Sequence, residues 1–386
     1  MALDAETFQH LLDTVDRFVN ERLIPLEQQV SDTDTVPEEL KAEMAELGLF
    51  GLSVPEEYGG IGLNMEEEVR LGRVLGRAAP AFRSVFGTNV GIGSQGIVID
   101  GTEEQKRKYL PLIASGEMVT SFALTEPDAG SDAAGLKTLA IRDGDSYVLN
   151  GTKRFITNAP TADVLTVMAR TNPDIKGAGG ISAFIVERGS NGLSFGKPEK
   201  KMGQQGAHVC DVIFEDCRVP AENLIGGVEG QGFKTAMKTL DRGRLHLAGV
   251  CVGFAERALD TALEYACERK QFGQPIADFQ LVQAMLADSK TEIYAAECMA
   301  VDAAKKRDAG QNVSTEAACC KMFASEMAGR VVDRAVQIFG GSGYIADYGV
   351  ERMYRDARIF RLYEGTTQIQ QIVIARNMIR EMRNAM

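Results

Sequence analysis

The chain has 386 residues, of which 45% are hydrophobic and 25% charged, and its formal net charge at pH 7 is −12. This composition is typical of a globular protein that is large enough to bury a sizeable core. An acidic chain without a basic run repels phosphate backbones, so nucleic acid is excluded as an expected partner.

Cysteine and histidine usage indicates a reducing compartment and favours no metal site. The seven cysteines form no CxxC pair, and the three histidines, His10, His208 and His246, lie far apart in the sequence. The acidic N-terminal stretch MALDAETFQHLLD differs from a secretory or transit signal, and the longest apolar run, LHLAGVCVGFA, is too short to span a bilayer. We therefore expect a cytoplasmic protein without membrane insertion.

Helical periodicity dominates the first 118 residues. Apolar residues recur at spacings of three and four between Phe8 and Val19, which places one apolar stripe on a helix. A second helix is expected to begin at Pro37 and a later one at Thr102, and Pro111 is expected to break the later one.

The pattern changes between residues 119 and 230 to short β-branched and aromatic runs. Asp-Gly, Asn-Gly and Gly-Gly pairs separate these runs, as hairpin turns do. Strands at this spacing, without long helices between them, favour an antiparallel barrel or sandwich. Because strands and helices do not alternate, a dinucleotide-binding fold with a GxGxxG turn is not predicted.

From residue 231 the helical period returns and continues to the end of the chain. Four long segments are predicted, at roughly 231–270, 278–309, 314–339 and 349–383, the last interrupted near EGTT. The predicted class is therefore mainly α with a central β domain, in the order α–β–α. Its expected parts are an N-terminal α-helical domain over 1–118, a central β domain over 119–230 and a C-terminal four-helix bundle over 231–386.

Four separated stretches of sequence carry a functional signal, although each also has an ordinary structural explanation. They are FALTEPDAGSD (122–132), RFITNA (154–159), RKQFGQPI (269–276), and QIFGGSGY (337–344) with YEGTTQIQ (363–370). The first is also a strand that ends in a turn, and the third is also a cationic last helical turn followed by glycine. Together, in this order and on an α–β–α background, they resemble the acyl-CoA dehydrogenase family through nearly the whole chain.

The resemblance implies that FAD is the cofactor. The residues that match the family's contacts to the flavin are Phe122, Leu124, Thr125, Ser131, Phe155 and Thr157, and those that match its contacts elsewhere on FAD are Arg269, Phe272, Gln280, Gln337, Gly341, Thr366 and Gln368. A guanidinium such as that of Arg269 suits a pyrophosphate because its donors are planar and paired. In the family a neighbouring subunit supplies part of this second group, which implies a homotetramer built as a dimer of dimers.

Glu364 immediately precedes a predicted helix, where the helix dipole favours a carboxylate without any role in catalysis. Its neighbours Tyr363 and Gly365 also suit a tight apolar slot, in which the pKa of a carboxylate rises towards neutrality. In the family the matching residue removes the α-proton of an acyl-CoA thioester, its backbone N–H holds the thioester oxygen, and flavin N5 takes the β-hydride. Some relatives carry the base on an earlier helix, at the position of Gly243, so Glu364 is the candidate here.

The acyl-CoA side of the site is implied by the same resemblance. Its matching residues are Ser131, Asp241, Arg244, Tyr363 and Gly365. Arg83 aligns with an arginine of dehydrogenases that act on dicarboxylic acyl-CoAs, although a solvated helix cation is the favoured explanation. Decarboxylating relatives carry Glu where this chain has Gly76, so decarboxylation is not expected. We expect a short- or medium-chain monoacyl-CoA, with a dicarboxylyl-CoA as the alternative.

Three functions remain open from the sequence. The expected one is dehydrogenation of an acyl-CoA to the trans-2-enoyl-CoA in lipid or amino-acid catabolism, with electrons passed to an electron-transfer flavoprotein. The second is an oxidase of the same fold that passes electrons to oxygen. The third is a scaffold that binds acyl-CoA without chemistry, which the presence of a base, flavin walls and a pyrophosphate arginine disfavours.

Overall fold

Seven helices form the N-terminal part of the protein, for which a computed structural model describes residues 3–386. They are α1 (Ala5–Phe18), α2 (Glu27–Thr33), α3 (Glu38–Glu46), α4 (Met65–Leu75), α5 (Pro80–Val90), α6 (Gln95–Asp100) and α7 (Glu103–Ser115). Met1 and Ala2, which belong to the predicted first domain, lie outside the described residues.

The start and the interior of α7 test two predictions. Thr102 caps the helix, because its side chain accepts a hydrogen bond from the backbone N–H of Gln105 and the Gln105 side chain returns one. The expected break at Pro111 is wrong, since α7 continues through it to Ser115. Burial of Tyr109, Leu110 and Ile113 on both sides of the proline offsets the lost backbone hydrogen bond.

Seven strands form one central sheet, and two more form a small hairpin. They are β1 (Thr120–Ala123), β2 (Leu139–Asp143), β3 (Ser146–Thr157), β4 (Val164–Arg170), β5 (Ile181–Glu187), β6 (Leu193–Phe195), β7 (Val209–Pro220), β8 (Lys270–Gln271) and β9 (Gln274–Pro275). The order in the sheet is β1-β4-β2-β3-β7-β6, with β5 also paired to β4.

Most strand pairs are antiparallel, but β4 pairs in parallel with β1, where Phe122 lies opposite Thr166, and at one position with β2. The β2–β3 hairpin lies between them in the chain and supplies the long crossover that a parallel pair needs. The predicted class, mainly helical with a central β domain, is confirmed, and this parallel pairing is a detail that the turn signals did not predict.

Five helices follow, and their positions confirm the four long segments and the interruption of the last one. They are α8 (Gly232–Glu268), α9 (Gln280–Asp308), α10 (Ser314–Phe339), α11 (Val350–Ala357) and α12 (Thr367–Ala385). Alanines such as Ala255, Ala300 and Ala328 fill the core that these helices share, so their axes can approach closely.

Glycines set the contact between α4 and α8. A Cβ atom on Gly76 would overlap the backbone carbonyl of Val250, and one on Gly253 would overlap the carbonyl of Arg73. The two helices therefore cross with their backbones in direct contact, which fixes the N-terminal helices against the bundle.

Residues 3–386 contain neither a membrane-spanning helix nor a cluster of metal-binding side chains. In this range no helix carries an apolar stretch that could cross a bilayer. The same range holds no group of three His, Cys, Asp or Glu side chains placed to bind a metal ion. The cytoplasmic location stays a prediction.

Candidate active site

Glu364 lies in a left-handed turn just before α12, with a backbone φ of 55°. It is not the cap of this helix, because the hydroxyl of Thr366 accepts the hydrogen bond from the backbone N–H of Ile369 at 3.3 Å. Gln368 is exposed in the first turn of α12. A left-handed conformation at a residue with a side chain is strained and persists only where its surroundings hold it.

Three side chains from the bundle hold this turn. Arg244 of α8 donates from Nε to the carbonyl of Glu364 at 3.3 Å. Gln370 of α12 donates from Nε2 to the carbonyls of Glu364 and Gly365, each at 3.1 Å. Lys321 of α10 donates from Nζ to the Gly365 carbonyl at 2.6 Å. The backbone carbonyl groups of Glu364 and Gly365 are thus both fixed in direction.

Glu364 is half-buried, and one oxygen of its carboxylate is fully enclosed without a hydrogen-bond partner among the described residues. Oε2 is buried and accepts no hydrogen bond from any group in residues 3–386. Burial raises the pKa of Glu364, and the charges of Arg83, Lys321 and Arg244 oppose that rise. The enclosed oxygen Oε2 is suited to accept a proton from carbon, because it is shielded from solvent and its lone pairs are not engaged by another donor.

Gly243 of α8 lies against the carboxylate. A Cβ atom at this position would be 2.8 Å from Oε2 of Glu364. The absence of a side chain at Gly243 therefore leaves the space that the carboxylate occupies. The structure brings together the two positions at which the resembling family carries its base.

The other residues expected on the acyl-CoA side surround the same turn, with one exception. Asp241 and Arg244 form an ion pair at 2.7 Å, and burial raises the pKa of Asp241. Tyr363 adjoins Glu364, and burial raises the pKa of its phenol. Ser131 lies exposed on the loop between β1 and β2 and makes no hydrogen bond within the described part of the chain.

Two hydrogen bonds join the strands that were expected to face a flavin. The hydroxyl of Ser121 donates to the carbonyl of Thr157 at 2.7 Å. The backbone N–H of Arg154 donates to the carbonyl of Thr125 at 2.8 Å. These bonds hold β1 and the residues that follow it against β3. Five of the residues expected to contact the flavin are thereby brought together: Phe122, Leu124, Thr125, Phe155 and Thr157.

Phe155 is an exposed aromatic ring on a strained backbone. Its φ is 58° and 58% of the residue is exposed, at an irregularity in the pairing of β3 with β7. The guanidinium of Arg154 lies 5.1 Å from the ring centre. An exposed ring beside free hydroxyl and backbone groups fits a planar, hydrogen-bonding ring system such as isoalloxazine.

A buried ion pair supports this wall, and it was missed from the sequence. Lys153 is fully buried, and its Nζ donates to Oε1 of Glu126 at 2.7 Å and to the carbonyl of Leu124 at 3.2 Å. Glu126 also accepts from the backbone N–H groups of Lys137 and Thr138. The signal in the sequence that could have indicated this pair was Lys153 itself, a lysine within the alternating pattern of a strand.

The residues expected to bind the rest of FAD lie at one end of the bundle. Arg269 ends α8, Phe272 is 94% exposed at the tip of the β8–β9 hairpin, and Gln280 begins α9. Gln337 and Gly341 lie exposed at the end of α10.

This end of the bundle is far from the flavin wall within one chain. Tyr265 stacks on Phe339 at 4.0 Å, which joins the ends of α8 and α10. Ala236, near the start of α8, packs in the same core as Phe122. The interval from Ala236 to Arg269 is 33 residues, which spans about 50 Å of helix.

Arg83 is half-buried and lies near enough to the candidate base for its charge to act on Glu364, so it is not a fully solvated cation. It is half-buried on α5, and its Nε donates to Nε2 of His246 at 3.3 Å. Burial, together with Arg83 and Arg242, depresses the pKa of His246, which is therefore a neutral acceptor. Among the described residues no carboxylate forms a salt bridge with Arg83.

Comparison with known proteins gives a consistent result over the whole chain. Family models described as the N-terminal, middle and C-terminal domains of acyl-CoA dehydrogenase match residues 5–117, 121–217 and 230–379. The caffeyl-CoA reductase-Etf complex subunit CarC of Acetobacterium woodii is 46% identical, over 90% of this chain and 91% of that protein.

Solved structures agree with these matches. A chain described as the electron transferring flavoprotein of Acidaminococcus fermentans superposes with a TM-score of 0.94 at 43% identity, covering 98% of this chain and 100% of that one. Butyryl-CoA dehydrogenase from Megasphaera elsdenii superposes with a TM-score of 0.93 at 38% identity, again covering 98% and 100%. The chain belongs to the acyl-CoA dehydrogenase family and is an FAD-dependent oxidoreductase of that class.

Proposed function

We propose that Glu364 is the base in the α,β-dehydrogenation of an acyl-CoA thioester to the trans-2-enoyl-CoA. The α-proton passes to Glu364, the C–H electron pair forms the new double bond, and the β-hydrogen leaves with its two electrons. FAD, when bound, supplies the acceptor for that hydride. The observation that carries the proposal is the buried Oε2 of Glu364, which lies against Gly243 and has no hydrogen-bond partner among the described residues.

The turn also offers a donor for the thioester oxygen. Within residues 3–386 the backbone N–H of Glu364 makes no hydrogen bond, while its carbonyl is held by Arg244 and Gln370. A free, preoriented N–H beside the base can bind the oxygen as negative charge grows on it. Asp241 supports this arrangement by pairing with Arg244.

We propose that FAD lies along the wall of Phe122, Leu124, Thr125, Phe155 and Thr157, with Ser131, Thr366 and Gln368 at its margins. The second group, at Arg269 and Phe272, is too distant to reach the same molecule within one chain. A second chain would have to bring it there, which supports a homo-oligomer, and we propose a homotetramer built as a dimer of dimers.

The proposed electron acceptor is an electron-transfer flavoprotein. This proposal rests on the Etf complex named for the Acetobacterium relative and on the flavoprotein described for the Acidaminococcus chain. The domain boundaries near residues 118 and 230 are proposed from the same sequence patterns, and limited proteolysis would test them.

A substrate panel without oxygen tests the function. Purified protein should be yellow, and its flavin band should bleach when a matching acyl-CoA is added, with the enoyl-CoA as product. Bleaching that recovers rapidly in air would favour the oxidase. A yellow protein that bleaches with no thioester in a panel from butyryl- to octanoyl- and glutaryl-CoA would favour the scaffold and contradict the proposal.

A dicarboxylyl-CoA is the second candidate substrate, favoured by the position of Arg83. A half-buried guanidinium that faces the base and lacks a carboxylate partner within the described chain is suited to bind a distal carboxylate. Arg83→Ala should then slow glutaryl-CoA turnover at least about 100-fold more than butyryl-CoA turnover, because one charged pair is lost. Equal slowing of both substrates would remove this candidate.

The same site can also work in the direction of reduction, since each step is reversible. The reductase name of the Acetobacterium relative is the observation that favours it. Oxidation of the reduced flavin by an enoyl-CoA, measured against bleaching by the matching acyl-CoA, gives the preferred direction.

A further inference from the structure

Lys321 is a buried lysine whose charge is not balanced by a salt bridge among the described residues. It is fully buried on α10, and its Nζ donates at 2.6 Å to the backbone carbonyl of Gly365. Among the described residues it forms no salt bridge with a carboxylate, whereas the other fully buried lysine, Lys153, forms one with Glu126. Burial of an ammonium without such a pair is costly, so the lysine at this position carries a cost in stability.

The geometry connects Lys321 to the candidate base by two routes. The first is mechanical: the Gly365 carbonyl is the second of the two carbonyls that fix the left-handed turn at Glu364. The second is electrostatic: the charge of Lys321 opposes the burial that raises the pKa of Glu364, and burial lowers the pKa of Lys321 to about 8 while Glu364 opposes that fall.

The charged and titratable groups that face Glu364 come from every element packed on it. They are Arg83 of α5, Arg244 and Cys251 of α8, Lys321 of α10 and Tyr363 of its own turn. Arg244 is already paired with Asp241, and Arg83 is held on His246. Lys321 is the cation in this set whose side chain bonds only to the turn itself.

We infer that Lys321 is a positioning residue for Glu364: its ammonium group holds the Gly365 carbonyl, so the turn presents the carboxylate, and its charge keeps that carboxylate ready to ionise. This inference rests on the proposed role of Glu364 as base. Lys321 thus sets both the direction in which the carboxylate points and the pH range in which the carboxylate can accept a proton.

Two substitutions separate the mechanical route from the electrostatic one. Lys321→Met removes both the donor and the charge at similar length, and Lys321→Gln keeps a donor and removes the charge. Lys306→Met is the matched control, because Lys306 lies on the partly exposed face of α9 and pairs with Asp302. Thermal melting of all three holoenzymes shows whether they fold.

The first measurement needs no turnover. Infrared difference spectroscopy of the substrate-free holoenzyme, with Glu364→Gln to assign the band, gives the pH midpoint of the Glu364 carboxyl. Removing a nearby cation disfavours the carboxylate, so both Lys321 variants should raise the midpoint by about one pH unit or more, and Lys306→Met should leave it unchanged.

The second measurement is the anaerobic rate of flavin bleaching by an acyl-CoA as a function of pH. The acidic limb should move upward with the midpoint in both Lys321 variants. At a pH above the Glu364 midpoint of every variant and below about 8, where Lys321 of the wild type is still an ammonium, Lys321→Met should remain about 30-fold slow and Lys321→Gln only a few-fold slow, because the donor persists in the latter. KM for the acyl-CoA should change little.

Unchanged midpoints in the folded Lys321 variants would overturn the inference. If Lys321→Met does not fold, Lys321→Gln alone decides by the same criterion. A wild-type protein that bleaches with no thioester would contradict the proposed function, and the infrared midpoint would still confirm or overturn the role of Lys321.

Discussion

Two fully buried lysines lie on the two sides of the candidate site, and they are held differently. Lys153, behind the flavin wall, is paired with the carboxylate of Glu126 at 2.7 Å. Lys321, behind the Glu364 turn, is bonded to a carbonyl, and the nearby carboxylate oxygen Oε2 of Glu364 stays unpartnered within the described chain. A paired charge fixes a loop, whereas an unpaired carboxylate beside a cation stays available for chemistry. We therefore predict that the wall serves binding of the cofactor and that the turn serves proton transfer.

The strongest test of this contrast is Glu364→Gln. The amide keeps the size of the side chain and cannot accept the α-proton, so bleaching by acyl-CoA should slow about 10³-fold or more. The FAD content should stay at the wild-type level because the wall is untouched. A Glu364→Gln variant with near wild-type bleaching, measured by anaerobic stopped flow, would show that the base lies elsewhere.

Lys153→Met should destabilise the wall, whereas Glu364→Gln should leave the wall untouched. Breaking a buried pair leaves Glu126 without its cation, which should lower the free energy of unfolding by about 3–5 kcal/mol, measured by chemical denaturation. The double variant Lys153→Met/Glu126→Leu should recover much of that loss, because neither charge remains buried. A single variant as stable as the wild type would contradict the contrast between the two lysines.

Gly243→Ala tests how tightly the carboxylate is placed. The new Cβ atom would approach Oε2 at 2.8 Å, so Glu364 must shift by a fraction of an ångström, and bleaching should slow about tenfold. Gly329→Ala is the matched control, because Gly329 also lies within a helix and its added Cβ atom would meet only ordinary contacts, at 3.6 Å or more. A Gly243→Ala variant with a wild-type rate would mean that the position of the carboxylate is not limiting.

Phe155→Ala should give the smallest effect, and it concerns binding alone. Loss of one aromatic contact should weaken FAD binding about fivefold, measured by recovery of flavin fluorescence on dilution. Phe155→Tyr keeps the ring and should bind FAD as the wild type does. Equal affinities for the Ala and Tyr variants would show that the exposed ring does not face the cofactor.

Periodicity in the sequence predicted the order of helices and strands, because apolar spacing reports which face of each element is buried. Resemblance then pointed to Glu364 and to the flavin wall. The support behind them was not predictable from these patterns. Lys153 and Lys321 look like ordinary charged residues in the sequence, and only the fold shows that both are buried. Pro111 was misread because the packing that keeps α7 intact comes from residues distant in the chain.

Arg83 illustrates the same limit for substrate choice. A single arginine on a helix is more often solvated than functional, and its bond to His246 links two residues 163 positions apart. No local pattern reports such a contact, since it depends on how α5 and α8 are placed by the rest of the fold.

The crossing of α4 and α8 restricts which new activities this scaffold could acquire. The family resemblance implies that Gly76 stands where decarboxylating relatives carry an acid, and even a methyl group there would strike the Val250 carbonyl. We therefore expect that an acid introduced at this position alone would not confer decarboxylation, because the two helices would first have to separate. Variation in the accepted acyl group is instead expected beside α5, where the side chains of Arg83 and His246 meet rather than two backbones.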